Sequence, residues 1–211
     1  MTSADVVTSP RRPAPALERR RFTVDEYHRM VAAGVLGPDE RVELLDGEVV
    51  RVSPMGSPHA ACVRRLSRLL GRGAGDRAQV AVQLPLRLDA HSEPEPDVAL
   101  LRPRDDDYAA AHPGPADALL VVEVGDSSVL ADRDVKAPLY AHAGVGELWL
   151  VDLRAGTITR LRRPAGDRYE DVAVLGPGAT LEPQALPGLT ISLDEALAPA
   201  LRALREPPSQ A

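Results

Sequence analysis

Four side chains suited to metal-assisted hydrolysis stand at the ends or centres of apolar segments. Glu43 lies on the first strand of a predicted hairpin, Asp97 follows a proline in "PEPDVALL", and Glu123 interrupts the apolar run "LLVVEVG". Lys136 lies in the next predicted helix. Carboxylate oxygens are preferred ligands of Mg²⁺, which activates water and neutralises a phosphate, and a lysine can orient the attacking water. If they converge on one sheet edge, these groups suit Mg²⁺-dependent phosphodiester hydrolysis.

Glu123 and Lys136 both stand where another residue type would be expected. A run rich in Leu and Val is typical of a strand buried on both faces, where a lone carboxylate is costly unless it is paired, protonated or bound to a cation. A position on an exposed edge, or an ion pair with an arginine, would also explain Glu123. Lys136 is the only lysine among 25 Lys and Arg residues. It therefore indicates a place where an always-charged guanidinium cannot do the work, unless it was retained by chance or forms an ion pair with Asp132 one helical turn earlier.

Local patterns predict the elements that position these groups. Thr23 and Glu26 form a capping box at the start of a first helix, and Asp46-Gly47 is a strong hairpin signal. A second helix begins near Ser57-Pro58 and ends at glycines. Strands are predicted over 78–88, 94–101 and 118–124. The next predicted element is a helix over 127–144, capped by Ser127 or Ser128 and kinked by Pro138. A strand–turn–strand unit over 146–164, a hairpin element over 167–181 and a terminal helix over 191–204 are predicted to follow. This order predicts an α/β (α+β mixed) fold with one central mixed sheet flanked by helices.

Composition sets the domain organisation and the compartment. Residues 1–18 are rich in Pro, Ala, Ser and Arg and are predicted to be a disordered tail, residues 19–197 a single domain, and residues 198–211 the end of the terminal helix and a frayed tail. A single cysteine, Cys62, excludes an internal disulfide framework and is typical of a reducing cytosol. We find no signal-peptide or membrane-span pattern, and so expect a cytoplasmic protein without a membrane partner.

The charge of the chain limits how it could bind nucleic acid. A net charge of −6 argues against a protein that coats nucleic acid through bulk positive charge. It does not exclude a nuclease, because metal-binding carboxylates make an active site acidic. One face of the second predicted helix carries Arg64, Arg65 and Arg68, with Arg72 beyond them; it is either a solvated face or a surface that follows a phosphate backbone.

Several quoted segments together resemble one known family. They are "RVELLDGEVVRVSPMGSPH", "PEPDVALL", "LLVVEVGDSS" and "DRDVKAPLYAHAGVGELWLVD", in this order between about Arg21 and Asp194. This set is similar to the Uma-two family of restriction endonuclease-like proteins, within the PD-(D/E)XK nuclease superfamily. The resemblance implies a restriction-endonuclease-like fold.

The resemblance also implies roles for individual residues. Asp97 and Glu123 resemble the two strand acids of the superfamily. Its usual lysine stands two residues after the second acid, where this chain has Gly125, and Lys136 on the following helix resembles its replacement. Glu43 resembles an additional early acid, with Glu48 on the partner strand as its competitor.

For several other residues the sequence predicts a structural role or leaves one open beside a functional role. His59 resembles a recurrent histidine of the family, with a capping or packing role as the alternative to one in catalysis or substrate binding. Tyr140 and Trp149 are predicted core residues, and Cys62 is predicted to be buried and unreactive.

The sequence hypothesis is therefore a metal-dependent endonuclease that cleaves DNA. Glu43, Asp97 and Glu123 would hold Mg²⁺, with Mn²⁺ as a substitute, and Lys136 would activate water. Alternatives are a catalytically silent domain of this fold that serves as a binding or dimerisation module, and a hydrolase of small phosphate esters. Convergence of the four groups on one site favours catalysis, whereas scattered groups favour the silent module. A homodimer is a further expectation, because double-strand cleavage needs two sites.

Overall fold

The computed structural model describes residues 19–37, 39–52, 55–125 and 132–205, with the backbone alone at 132 and 133. The predicted disordered tail and the predicted helix cap at Ser127 or Ser128 lie outside these residues. Nothing in the described residues tests the predicted domain boundaries, which stay a prediction. No helix in this part of the chain is both long and apolar enough to cross a bilayer.

The described residues form four α-helices and ten strands. The helices are α1 (Val24–Ala32), α2 (Ser57–Ala74), α3 (Ala137–His142) and α4 (Leu193–Arg205). The strands are β1 (Val42–Leu45), β2 (Glu48–Arg51), β3 (Gln79–Ala81), β4 (Val98–Leu101), β5 (Ala118–Gly125), β6 (Glu147–Asp152), β7 (Thr157–Ala165), β8 (Arg168–Leu175), β9 (Thr180–Leu181) and β10 (Ile191–Ser192). This confirms the predicted class, a mixed sheet flanked by helices.

A six-stranded sheet in the order β3-β4-β5-β6-β7-β8 forms the centre of the domain. Its strands pair antiparallel except β5 and β6, which run parallel, with Glu123 beside Leu150. A parallel pair needs a crossover connection. The described part of the chain between β5 and β6 contains a π-helical turn (Asp132–Lys136) that leads into α3.

Two apolar layers cover the two faces of the sheet. On one face, Val98, Val122 and Trp149 pack with Leu66 of α2 and Leu197 of α4. On the other face, which we call the α3 face, alternate strand residues pack against Tyr140 of α3. These strand residues are Ala99, Val121, Leu148 and Leu150. Because side chains alternate across a strand, the register of β4 and β5 decides which residues reach the α3 face.

Two local predictions near the beginning of the chain are confirmed. The Thr23 hydroxyl accepts a hydrogen bond from the Glu26 amide at 3.2 Å, and the Glu26 carboxylate accepts one from the Thr23 amide at 3.1 Å. Asp46 and Gly47 have φ values of +49° and +76°, as a tight turn between β1 and β2 requires. The hairpin register is thereby fixed, and with it the direction of Glu43.

The strand predicted over 78–88 is wrong for most of its length. Regular pairing ends after Ala81, and Gln83 adopts a left-handed conformation with φ +52°. The chain instead makes two separate backbone hydrogen bonds to the segment before β4, from Gln83 to Pro96 and from Leu86 to Pro94. Since prolines at 94 and 96 have no amide hydrogen to donate, a continuous ladder cannot form here.

The kink expected at Pro138 is present as a change of helix type. The π-helical turn ends at Lys136, and α3 begins at Ala137 with Pro138 in its first turn, where a missing amide hydrogen costs little. Isolated π-helical turns are frequent at functional sites. This one carries Lys136 at its last position.

Candidate active site

Sheet register brings Asp97 and Glu123 to the α3 face. Val98 pairs with Val122 and Ala99 with Val121, so continuation of the antiparallel register places Asp97 opposite Glu123. Directly opposite residues on one face of a sheet have Cβ atoms about 5 Å apart. The Val124 amide donates to Asp97 Oδ2 at 2.8 Å, which fixes the carboxylate against β5.

Lys136 joins the two glutamates of the predicted site. Its Nζ lies 3.1 Å from Oε1 and 3.0 Å from Oε2 of Glu43, and 3.3 Å from Oε1 of Glu123. The side chains of Lys136, Glu43 and Glu123 are 12%, 4% and 3% exposed. At this degree of burial an ammonium paired with two carboxylates is screened little by solvent. Lys136 therefore lies among the predicted acids rather than on a solvated helix face.

His59 and Gln83 hold the other oxygen of Asp97. His59 Nε2 donates to Asp97 Oδ1 at 2.9 Å, and Gln83 Nε2 donates to the same oxygen at 3.1 Å. His59 comes from the first turn of α2, where Pro58 and the N-cap Gly56 start the helix beside β4. The histidine thus contacts the acid cluster and positions Asp97.

Tyr140 is a core residue, as predicted, and also a hydrogen-bond donor to Glu123. It is fully buried on α3, and its hydroxyl donates to Glu123 Oε1 at 2.7 Å. The strand glutamate is therefore held by a tyrosine hydroxyl and an ammonium from two successive turns of helical chain. Trp149 is buried as predicted, on the opposite face of the sheet.

Glu95 is a further acid of the site that the sequence reasoning missed. Burial raises the pKa of Glu95 above its ordinary value of 4.5, and the negative charge of Glu43 raises it further, while Arg41 and Lys136 act in the opposite direction. The Glu95 amide also donates to Glu43 Oε1 at 3.3 Å. Alternation along "EPEPD" was the available signal, because Glu93, Glu95 and Asp97 fall on one side of an extended segment.

Gln83 is a second residue that the sequence reasoning missed, because it lay inside a predicted strand. A left-handed backbone is uncommon for a residue with a side chain, and such conformations cluster at functional sites. At φ +52° Gln83 directs its amide group to Asp97. The "Gln-Leu-Pro" sequence carries no local signal for that conformation.

Glu48 lies away from the cluster. It is exposed on β2, opposite Leu45, and it pairs with Arg19 at 3.2 Å. Glu43 instead points toward Lys136 because β1 alternates, with Leu44 on its other side packed against Val24. The geometry therefore favours Glu43 over Glu48.

The arginine face of α2 divides into two parts. Arg65 is engaged with α4, where it donates to the Glu195 side chain at 3.0 Å and to the Glu195 carbonyl at 3.2 Å. Arg64, Arg68 and Arg72 are exposed. From the helix rise, Arg64 and Arg68 lie about 8 and 14 Å along the axis from His59. At about 100° of rotation per residue, both arginines lie on the side of α2 away from His59.

Cys62 is no nucleophile in this structure. It is fully buried beneath α2, and burial raises the pKa of the Cys62 thiol to about 12, with a smaller contribution from the charge of Asp97. Since the thiolate is the reactive form, the thiol is inert near neutral pH.

By chemical type, the donor atoms suit a hard divalent cation. Glu43, Asp97 and Glu123 supply oxygen ligands only, as Mg²⁺ prefers. Glu43 Oε2 accepts no hydrogen bond within the described part of the chain, although the Lys136 ammonium lies 3.0 Å away. Within the described part of the chain, one ammonium lies among three buried carboxylates, and a bound cation would offset the excess negative charge of these groups.

Comparisons with known proteins agree with this architecture. A crystal structure described as "a putative nuclease belonging to DUF820 from Anabaena variabilis ATCC 29413" has a TM-score of 0.66 at 16% sequence identity, covering 85% of this chain and 99% of that chain. This likeness confirms the restriction-endonuclease-like fold. The type IIG restriction endonuclease BpuSI gives a TM-score of 0.39 at 14% identity, over 73% of this chain and 17% of that chain, which is too weak to carry an argument. No curated protein matches the chain.

The family assignment comes from the sequence. A family model described as "Putative restriction endonuclease" matches residues 24–194, which include every residue of the acid cluster and the whole central sheet. The chain therefore belongs to the Uma2 family, as its motifs predicted.

Proposed function

We propose that this chain is a metal-dependent endonuclease that hydrolyses phosphodiester bonds of DNA. The observation that carries the proposal is the contact of one largely buried lysine, Lys136, with both Glu43 and Glu123. Asp97 lies beside them and is held by hydrogen bonds from the sheet and from α2. A scattered set would have supported a silent module. Nuclease family membership supports the reaction class.

Asp97, Glu123 and Glu43 would hold Mg²⁺, with Mn²⁺ as a substitute. A bound Mg²⁺ supplies Lewis acidity, which lowers the pKa of a water molecule and neutralises charge on the scissile phosphate. Glu95 lies beside Glu43 and provides a further carboxylate at the same place. His59 and Gln83 keep the Asp97 carboxylate in one orientation.

Lys136 would orient the attacking water and stabilise charge that develops on the phosphate. An ammonium carries three donors on a flexible stem and shifts its pKa when buried, so it can also exchange a proton, whereas a guanidinium remains charged. This requirement accounts for a lysine in a chain that otherwise uses arginine.

DNA would be bound along the exposed part of the α2 arginine face. Arg64 and Arg68 are exposed on the helix that also carries His59, and exposed guanidinium groups are suited to phosphate contacts. Arg65, which the sequence also suggested as a substrate-binding residue, pairs with Glu195 and contributes less to this surface. Cleavage would therefore weaken as salt concentration rises.

The test combines metal binding with DNA cleavage in matched variants. Mg²⁺ and Mn²⁺ are titrated by calorimetry into wild type, Asp97→Asn, Glu123→Gln and Lys136→Met, and supercoiled and single-stranded DNA are assayed for cleavage. We expect wild type to bind metal and cleave DNA, the two acid variants to lose both, and Lys136→Met to bind metal without cleavage. Glu48→Gln is the matched control, because Glu48 is a glutamate of the same hairpin outside the cluster.

Two results would overturn the proposal. Wild type that binds no Mg²⁺ or Mn²⁺ at millimolar concentration would leave the silent module as the better account. Metal binding with hydrolysis of small phosphate esters, but not of either DNA, would shift the substrate class. Sedimentation at several protein concentrations tests the expected homodimer separately.

A further inference from the structure

A second cluster of metal-binding side chains lies outside the acid cluster. His28 is on α1, Glu93 is in the extended segment before β4, and His112 is in the connection between β4 and β5. One ligand atom from each of the three lies within 4.8 Å of the other two. His28 Nε2 is 2.5 Å from Glu93 Oε1, and the rings of His28 and His112 meet edge to face with centroids 6.2 Å apart. Three distant parts of the sequence thus bring two imidazoles and a carboxylate together.

The backbone of Glu93 is fixed by a hydrogen bond, and one of its carboxylate oxygens is available to bind a cation. Its amide donates to the Leu44 carbonyl at 2.8 Å, which ties the segment to β1. Its side chain is 2% exposed, and Oε2 is buried without a hydrogen-bond partner among the described residues. A buried carboxylate oxygen that lacks a partner is destabilising, because it has lost its water and gained nothing in exchange. A cation bound at this oxygen would remove that deficit.

The two histidines give access and determine the kind of cation. Both are exposed, so an ion can reach the buried carboxylate from solvent without opening the core. Imidazole nitrogen is a good ligand for Zn²⁺ and a poor one for Mg²⁺, and two histidines with one glutamate form a typical three-residue zinc set that leaves a fourth position for water. The acid cluster, by contrast, offers carboxylates only.

We propose that His28, Glu93 and His112 form a Zn²⁺ site that is separate from the proposed Mg²⁺ site. The two sites share the segment 93–97 but no ligand. Zinc at this position links α1, the segment beside β1 and the β4–β5 connection, three parts of the chain that lie outside the strands of the six-stranded sheet. Zinc also stabilises the segment that carries Glu95 and Asp97.

Zinc binding by the full-length chain is measured after chelator treatment. Zn²⁺ affinity is determined by competition with a chromophoric chelator, and Co²⁺ replaces Zn²⁺ to report nitrogen ligation by visible absorption. We expect one tight site in wild type, with affinity at least about 10-fold weaker in His112→Ala and in Glu93→Gln. Zn²⁺ should raise the melting temperature of wild type but not of His112→Ala, whose substitution lies in an exposed connection and leaves the core intact.

Two further variants make the result decisive. His142→Ala removes an exposed histidine at the end of α3 and should bind zinc as wild type does. Asp97→Asn should also keep the zinc site, whether or not the endonuclease proposal holds. Unchanged zinc affinity in His112→Ala, or no micromolar site in wild type, would overturn the inference. Loss of zinc in Asp97→Asn alone would place the ion in the acid cluster and likewise overturn it.

Discussion

His59 and Cys62 show how one turn of helix separates a working side chain from an inert one. They are three residues apart on α2, yet His59 reaches the Asp97 carboxylate while Cys62 packs into the apolar layer with Val98 and Val122. Burial keeps the thiol protonated. The same negative charge that His59 contacts acts on Cys62 from a distance and strengthens this effect.

The thiol of Cys62 should make stability depend on pH in the alkaline range. Because folding raises its pKa from 9.0 to about 12, the folded state binds the proton more tightly than the unfolded state. The contribution is complete below pH 9.0 and is lost as pH rises toward the folded pKa, at up to about 1.4 kcal/mol per pH unit. Urea unfolding from pH 8 to 10.5 should therefore show a shallower loss in Cys62→Ala than in wild type.

A thiol titration gives an independent check of the same residue. Native protein at pH 8 should react with a thiol reagent only as fast as it opens, and urea-unfolded protein should react at once. Fast reaction of the native protein, together with the same pH dependence of unfolding free energy in wild type and Cys62→Ala, would contradict the burial of Cys62.

At the scale of elements, β6 and β7 contain a buried acid that is neutralised without any catalytic partner. Glu147 is paired in register with Arg162, whose guanidinium donates to Glu147 Oε1 at 2.9 Å. Trp149 Nε1 donates to the same oxygen at 2.7 Å, and the Gln184 amide donates to Oε2 at 2.6 Å. Glu147 is thus satisfied on both oxygens and acts as a structural link between the sheet and the chain after β9.

Removal of the Arg162 guanidinium should destabilise the protein strongly. Arg162→Ala leaves the buried Glu147 charge without its cation, and loss of one partner of a buried pair costs about 3–5 kcal/mol. Arg160→Ala, two residues earlier on β7, breaks a more exposed pair with Asp171 and should cost less than about 1 kcal/mol. Urea unfolding followed by circular dichroism compares the two, and equal losses would refute the buried ion pair.

Elements with local chemical signals were predictable from the sequence, whereas their irregular neighbours were not. Thr23 with Glu26 and Asp46 with Gly47 fix a cap and a turn through atoms close in sequence. The end of β3 depends instead on prolines at 94 and 96, more than ten residues away. In the same way, the motifs pointed to Asp97 and Lys136, and alternation along the same segment could have pointed to Glu95, but Gln83 joins the cluster only through a contact made in the folded state.

At the scale of the whole molecule, the six-stranded sheet separates two apolar layers and contributes side chains to both. Trp149, the single tryptophan, is fully buried on the face covered by α2 and α4, while Leu148 is buried on the α3 face. A change in one layer should therefore be felt in the other. This arrangement predicts that both layers unfold together.

Trp149 fluorescence should report that cooperativity. In urea, the shift of its emission to longer wavelength should coincide with the loss of circular dichroism. Leu148→Ala, on the opposite face, should move both midpoints equally, by an amount that corresponds to about 2–5 kcal/mol. Two separated transitions would mean that the layers unfold independently.

The lone parallel pair also dictates when during synthesis the cluster can exist. Glu43 and Lys136 are 93 residues apart in the chain, and Lys136 sits in the crossover that only the pairing of β6 with β5 closes. Strands far apart in the chain pair slowly, because the entropy of closing the long loop between them is lost before their contacts stabilise the structure. A nascent chain that has not yet released β6 from the ribosome carries all the acids but has no assembled site.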